Sequence, residues 1–279
     1  MNSKKWTIRF VIIILICLLF IVTKRIVHFF VDPYGYFRAQ KGENYTMDEE
    51  DYLREQKAEH IKYHGDEYDA FLVGGSKAGA IHSDKLSEID GYKYYNCWLL
   101  SGNFEDYYNY CKYIIHTAHP KKILLHISTS EIAQFDREAK GDIYEIPAVM
   151  SGNSKVAEVT KFLFKNLSVS WDTITKKEDS YPIEKTGERN LTKYYAYYRD
   201  HKDTTTYYDY LMKAQVDPYL PRLINGTKDK TDLVNSNISY LKKIKQLCDK
   251  NKVELNVFLG SLFIGEMVGY EGNSFYNWL

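Results

Sequence analysis

The sequence predicts an α/β fold built on a parallel sheet, preceded by one membrane-spanning helix and interrupted by a mostly helical insertion. Three observations carry this expectation. A thirteen-residue apolar block, Phe10 to Val22, stands near the amino terminus with basic residues on both sides. Between residues 70 and 128 three short apolar runs alternate with helix-patterned segments, and such alternation implies right-handed crossovers and parallel pairing. From Phe135 to about Lys230 the alternation breaks down, before one more helix and strand restore it.

Extended back to Trp6 and on to Thr23, the apolar block gives eighteen residues, or roughly 27 Å of helix, close to the hydrocarbon thickness of a bilayer. Trp6 at the interface and a snorkelling Arg9 suit a span. Thr23-Lys24-Arg25 stands where a cleavage site would need small residues. An uncleaved signal anchor over residues 1–30 is therefore expected; a cleaved signal peptide and a buried helix of a soluble protein are the alternatives. Lys4, Lys5, Arg9 and the free amino group outweigh Lys24 and Arg25, which puts the amino terminus in the cytoplasm and residues 31–279 on the extracytoplasmic side of the cell membrane.

Val31 to Phe37 reads as a turn-rich exit from the membrane. Met47 to His64 favours helix, with Leu53, Lys57 and Ile61 on one face. Ala70 to Val73 lacks polar alternation, the mark of a strand covered on both faces, and its helix is expected to run to about Ile89. Tyr92 to Leu99 is the second strand. Behind it Phe104, Tyr108, Cys111, Ile115 and Ala118 recur at four- and three-residue steps; Asn103 is a good N-cap and Pro120 a stop. Lys121 to Ser128 is the third strand, and Ser154 to Leu167 a helix. Residues 176–230 are polar, with nine tyrosines between Tyr181 and Tyr219, so the insertion (about 137–230) is expected to cover the sheet's edge or form a lid. Asp232 to Lys250 is an amphipathic helix and Val253 to Leu259 the fourth strand.

The chain carries 37 basic and 37 acidic residues, but its first 31 residues hold five of the basic ones and no carboxylate. The remainder is mildly acidic, which argues against a nucleic-acid partner. Cys97, Cys111 and Cys248 have no paired spacing and read as small buried residues rather than a disulfide framework or zinc site; Cys17 lies in the anchor. No histidine–carboxylate cluster has metal-ligand spacing, and no cofactor is implied. The tyrosines suit stacking on sugar rings, though tyrosine is abundant throughout.

Candidate chemistry centres on Ser76. Apolar strand, Gly74-Gly75, then Ser76 and a small-residue helix would present a hydroxyl at the sheet's carboxyl edge, with its own N–H at the positive end of a helix dipole. A plain structural turn is the competing reading. A nucleotide loop has little support, because Gly74-Gly-Ser-Lys-Ala-Gly79 matches neither phosphate-binding pattern. Leu100-Ser101-Gly102-Asn103 should lie beside it: the Gly102 N–H as a second oxyanion donor, Ser101 or Asn103 as a polar contact, or Asn103 as an N-cap alone. Ser128, Thr129, Ser130 and Glu131 close the third strand at the same edge. His126 reads as a hydrogen-bonded core histidine, His82 as a surface residue, and His116 and His119 as helix-end residues.

At these residues the chain resembles the SGNH (GDSL-like) hydrolase superfamily, especially the membrane-anchored branch of DltD-like and alginate O-acetyltransferase-like proteins. The likeness rests on the anchor, Asp32-Pro-Tyr-Gly35, Gly74-Gly75-Ser76, Leu100-Ser101-Gly102-Asn103 and Ser128, in that order. It implies a three-layer, flavodoxin-like sheet with Ser76 as nucleophile and the Gly102 backbone in the oxyanion hole. It also implies an acyltransferase or esterase acting on cell-envelope glycans or teichoic acids, beside a membrane-bound O-acyltransferase partner. Gly75 replaces the family's aspartate, and no Asp-x-x-His segment is found. By this likeness the chain lacks its final strand, as a carboxyl-truncated form would, and little activity is expected from these residues alone. The alternative is a non-catalytic envelope protein of the same fold that binds glycan or the O-acyltransferase.

Overall fold

The computed structural model describes residues 3–47, 52–128, 145–152, 154–164, 181–192 and 231–260, together with residues 196 and 200. Helix α1, Ser3–Val31, is long and apolar enough to cross a membrane, as an anchor or as a signal sequence, and its apolar side chains face outward. Asp32, with a positive φ of 46°, ends it; its Oδ2 accepts from the Arg38 N–H at 2.9 Å and closes the turn into α2, Tyr36–Gln40. Strand β1, Tyr45–Met47, and helix α3, Leu53–His64, come next.

The sheet is made of β2 (Ala70–Gly74), β3 (Tyr94–Trp98), β4 (Lys122–Ile127) and β6 (Glu254–Leu259). Its order is β3-β2-β4-β6 and every pair is parallel, with Ala70 opposite both Tyr94 and Lys122, and Lys122 opposite Glu254. Helix α4, Ser83–Asp90, joins β2 to β3, and α5, Phe104–Ala118, joins β3 to β4. Helices α6 (Ala148–Ser151) and α7 (Lys155–Phe164), strand β5 (Tyr181–Ile183) and helix α8 (Thr231–Lys250) complete the described elements. All four predicted sheet strands are present within two residues of their expected ends.

Odd-numbered strand residues, Phe71, Val73, Tyr95, Cys97, Ile123 and Leu125, build the main core with Ile61 of α3, Tyr107, Cys111 and Ile114 of α5, and Ile244 and Cys248 of α8. Leu72, Leu124 and Trp98 point to the opposite face, against Ala78, Leu53, Ala39 and Ile183. Cys97, Cys111 and Cys248 are free and buried. A third cluster, Tyr34, Tyr36, Tyr52 and Phe162, joins the end of α1 to α7.

Two local outcomes differ from the sequence expectation. The segment after β2 is not one helix to Ile89: a five-residue 3-10 turn, Ser76–Ala80, precedes α4. A two-stranded antiparallel ladder, β1 with β5, appears where no strand was expected. The stretch after β5 then lies along β3, whose outer side would otherwise be open. Asn96 N–H donates to Thr186 O at 2.8 Å, Asn96 O accepts from Lys57 Nζ at 2.8 Å, and Lys57 also donates to Gly187 O. Gly187 has φ 95°, and a Cβ there would sit 2.2 Å from Asn96 O, so only glycine fits.

Candidate functional site

In this strand order the chain leaves β2 toward the α4 face and returns from β3 across the α5 face. The two strands that flank this reversal, β2 and β4, therefore open a crevice at their carboxyl ends, where open α/β sheets bind ligands. Ser76 stands at that crevice. Gly75 is extended, the Ala78 N–H returns to Gly75 O at 3.0 Å, and Ser76 is half-exposed at the head of the 3-10 turn.

The turn is held from three sides. The Asn96 side-chain amide donates to Ala78 O at 2.9 Å and to Ile81 O at 2.8 Å. The Arg189 N–H donates to Gly79 O at 2.8 Å, and the Trp98 ring packs on Gly79 so closely that a Cβ there would lie 2.8 Å away. Trp98 in turn donates from Nε1 to Gly187 O at 3.0 Å and carries the Arg189 guanidinium 3.8 Å above its ring. Because the turn is short and 3-10, the macrodipole expected at Ser76 is not that of an α-helix.

The neighbouring loop is joined to the first: Leu99 N–H donates to Gly74 O at 2.8 Å, one step past the β2–β3 ladder. Ser101 takes a positive φ of 49°. The Gly102 N–H donates to Leu99 O at 3.2 Å, so an oxyanion would have to share it; Gly102 O accepts from the Tyr107 hydroxyl at 3.2 Å. Asn103 is the N-cap of α5: its Oδ1 accepts from Asp106 N–H at 2.9 Å, and Asp106 Oδ2 reaches back to Asn103 N–H in a capping box. The same Asp106 Oδ2 accepts from Arg54 Nη2 of α3 at 2.6 Å, and Arg54 is only 2% exposed. A buried ion pair thus fixes the Gly102 loop to the sheet's helical layer.

His126 and Ser128 occupy the far side of the crevice, both buried. His126 packs its Cβ against Gly74, where an added Cβ would be 2.8 Å away, and lies 5.1 Å from the Phe258 ring. Its Nδ1 finds no hydrogen-bond partner among the described residues. Burial first, and the Lys77 charge second, push its pKa down to about 4, so it is neutral at physiological pH. Thr129, Ser130 and Glu131 lie outside the described residues. His82 precedes α4 and is exposed, as are His116 and His119. Among the described residues a histidine–carboxylate contact, His64 Nδ1 to Glu67 at 2.7 Å, stands before β2, at the opposite end of the sheet. No group of three or more metal-ligating side chains occurs among the described residues.

Sequence reasoning missed two charged groups that build this region. Lys57 is wholly buried between α3 and β3, its ammonium 5.0 Å from the Tyr95 ring centre and 5.7 Å from that of Trp98, and burial pushes its pKa down to about 7. Its place in line with Leu53 and Ile61 was the available signal. Arg54 gave none, since its partner lies 52 residues away. No family model, curated protein or solved structure matches the chain.

Proposed function

We propose that this chain is a membrane-anchored, extracytoplasmic acyltransferase or esterase of SGNH type, with Ser76 as nucleophile, acting on cell-envelope glycans or teichoic acids. The observation that carries this reading is the placing of half-exposed Ser76 directly after the buried central strand, at the crevice where the crossovers reverse. The strand order, numbered along the sheet's own strands as 2-1-3-4, is that of flavodoxin-like doubly wound folds and supports a three-layer architecture. The length of α1 supports the anchor, and burial of His28 against Tyr34 and Phe162 ties that helix to the body.

In this mechanism the Ser76 hydroxyl attacks an acyl donor, a base takes its proton, and amides of the 75–76 and 102 region face the oxyanion. Collapse of the tetrahedral species breaks the donor's acyl bond and its leaving group departs with that proton; a polymer hydroxyl then attacks the acyl-serine, takes the acyl group and returns its proton through the base to Ser76, beside an O-acyltransferase partner. A second reading, a non-catalytic envelope protein that binds glycan or that partner, is favoured by one observation: among the described residues no histidine–carboxylate pair adjoins Ser76. A fluorophosphonate probe separates the two. Covalent labelling of the full chain that disappears in Ser76→Ala supports the nucleophile; a chain that stays unlabelled under conditions that modify an SGNH esterase overturns it in favour of the binding reading.

A further inference from the structure

We infer that α7, with the end of α1, forms a membrane-surface collar that seats the body directly on the lipid headgroups rather than leaving it on a flexible tether. The inference rests on the reading of α1 as a retained membrane span. Helix α1 continues without a break for eight residues beyond Thr23, to Val31. At 1.5 Å per residue, Arg25 lies about 3 Å past the end of the apolar stretch and Phe30 about 10 Å past it. The headgroup layer adds roughly 5–8 Å on each side of the hydrocarbon. Arg25 therefore stands within that layer and Phe30 just beyond it.

Helix α7 is fastened at that same level. Arg25 donates from Nη1 to Leu163 O, and its guanidinium lies 4.1 Å from the Phe164 ring centre. One turn further on, His28 is fully buried, 5.2 Å from the Phe162 ring and 5.6 Å from Tyr34. Phe162 then touches Tyr36, Phe37 and Tyr52, which carry the connection into the body. A helix bonded to Arg25 is bonded at headgroup depth.

Its outward side suits that depth. Val156, Ala157, Thr160 and Phe164 share one helical face, opposite buried Phe162. Val156 is 76% exposed and Phe164 59%, while the Thr160 hydroxyl is satisfied internally by Val156 O at 2.7 Å. Val156, Ala157, Thr160 and Phe164 are themselves uncharged, and Phe164 lies against Arg25 of the spanning helix, so the occupant this face fits is the acyl–headgroup boundary, where amphipathic helices bury their apolar face.

The test uses the full chain in phosphatidylcholine–phosphatidylglycerol vesicles. In a Cys17→Ser background, single cysteines replace Val156, Phe164, Leu18 and Ile89, each labelled with a nitrobenzoxadiazole fluorophore and quenched by lipids spin-labelled near the headgroup. Val156 and Phe164 are expected to quench several-fold more than Ile89, an exposed residue of α4. If Leu18 is quenched while Val156 and Phe164 match Ile89, the span stands and the collar is overturned. If Leu18 is not quenched, the span itself fails and the collar with it.

Discussion

Lys57 gives the sharpest quantitative expectation. Its amine is fully buried, and burial draws its pKa from 10.5 to about 7. Two carbonyls, Asn96 O and Gly187 O, accept from it, and a neutral amine still has two hydrogens to give them. Deprotonation therefore removes the buried charge without breaking either bond. Below about pH 7 both folded and unfolded chains are protonated, and the folded chain bears the full desolvation penalty. Between about pH 7 and 10.5 the unfolded chain holds a proton that the folded chain has released, so stability rises with pH. Integrated from about pH 7 to 8.5, the gain is about 1.6 kcal/mol. Stopping there limits the contribution of Cys97, Cys111 and Cys248, whose pKa values burial raises and which give the opposite slope as the pH approaches their usual 9.0; comparison with the variant subtracts what remains. The assay is guanidinium unfolding in detergent at half-unit pH steps, read by the fluorescence of buried Trp98, for the native chain and Lys57→Met. The variant should lose the slope and, at about pH 8.5, be less stable by about 1–3 kcal/mol, because the buried Asn96 carbonyl loses its donor while Gly187 O keeps only Trp98 Nε1. Parallel pH profiles for the two proteins would refute the titration.

Other expectations use the same unfolding assay. Asp106→Ala removes both the Arg54 pair and half of the α5 capping box, and should destabilise by about 3–5 kcal/mol, against about 1 kcal/mol for Asn103→Ala. Gly187→Ala should lower stability more than Gly91→Ala: both glycines have positive φ, but only at Gly187 does the new methyl meet a backbone oxygen, at 2.2 Å. His126 is held neutral to about pH 4, against 6.5 when unfolded. The unfolded chain therefore binds the extra proton in that window, and acid destabilises the fold by up to about 3 kcal/mol. Subtracting a His126→Leu profile should isolate that slope; identical slopes would refute it.

Much of the sheet was legible because its strands are short apolar runs without alternation, and the boundaries of α5 because Asn103, Asp106 and Pro120 mark them. The β1–β5 ladder was not. Each strand is three residues long and β5 contains Pro182, which ordinarily argues against a strand. The helix expected from Ser76 failed for a non-local reason: Gly79 is drawn against Trp98, while Asn96 takes the carbonyls of Ala78 and Ile81 that a continuing helix would use. The positions of Ser76 and the Gly102 loop at one sheet edge followed from parallel topology alone. What holds them there, Asn96, Arg54 with Asp106, and buried Lys57, depends on partners distant in sequence, and lysine and arginine are rarely interior residues.

The segment lying along β3 has a consequence for how copies of this protein meet. Asn96 has given away both its outward N–H and its outward carbonyl, and Trp98 N–H is taken at 3.2 Å by the Asn96 side chain. A neighbouring molecule that tried to zip its own strand onto this side would find the middle of the template already taken. Crowded chains are thereby denied one route to fibril-like growth, and denied it by hydrogen bonds rather than by repulsive charge.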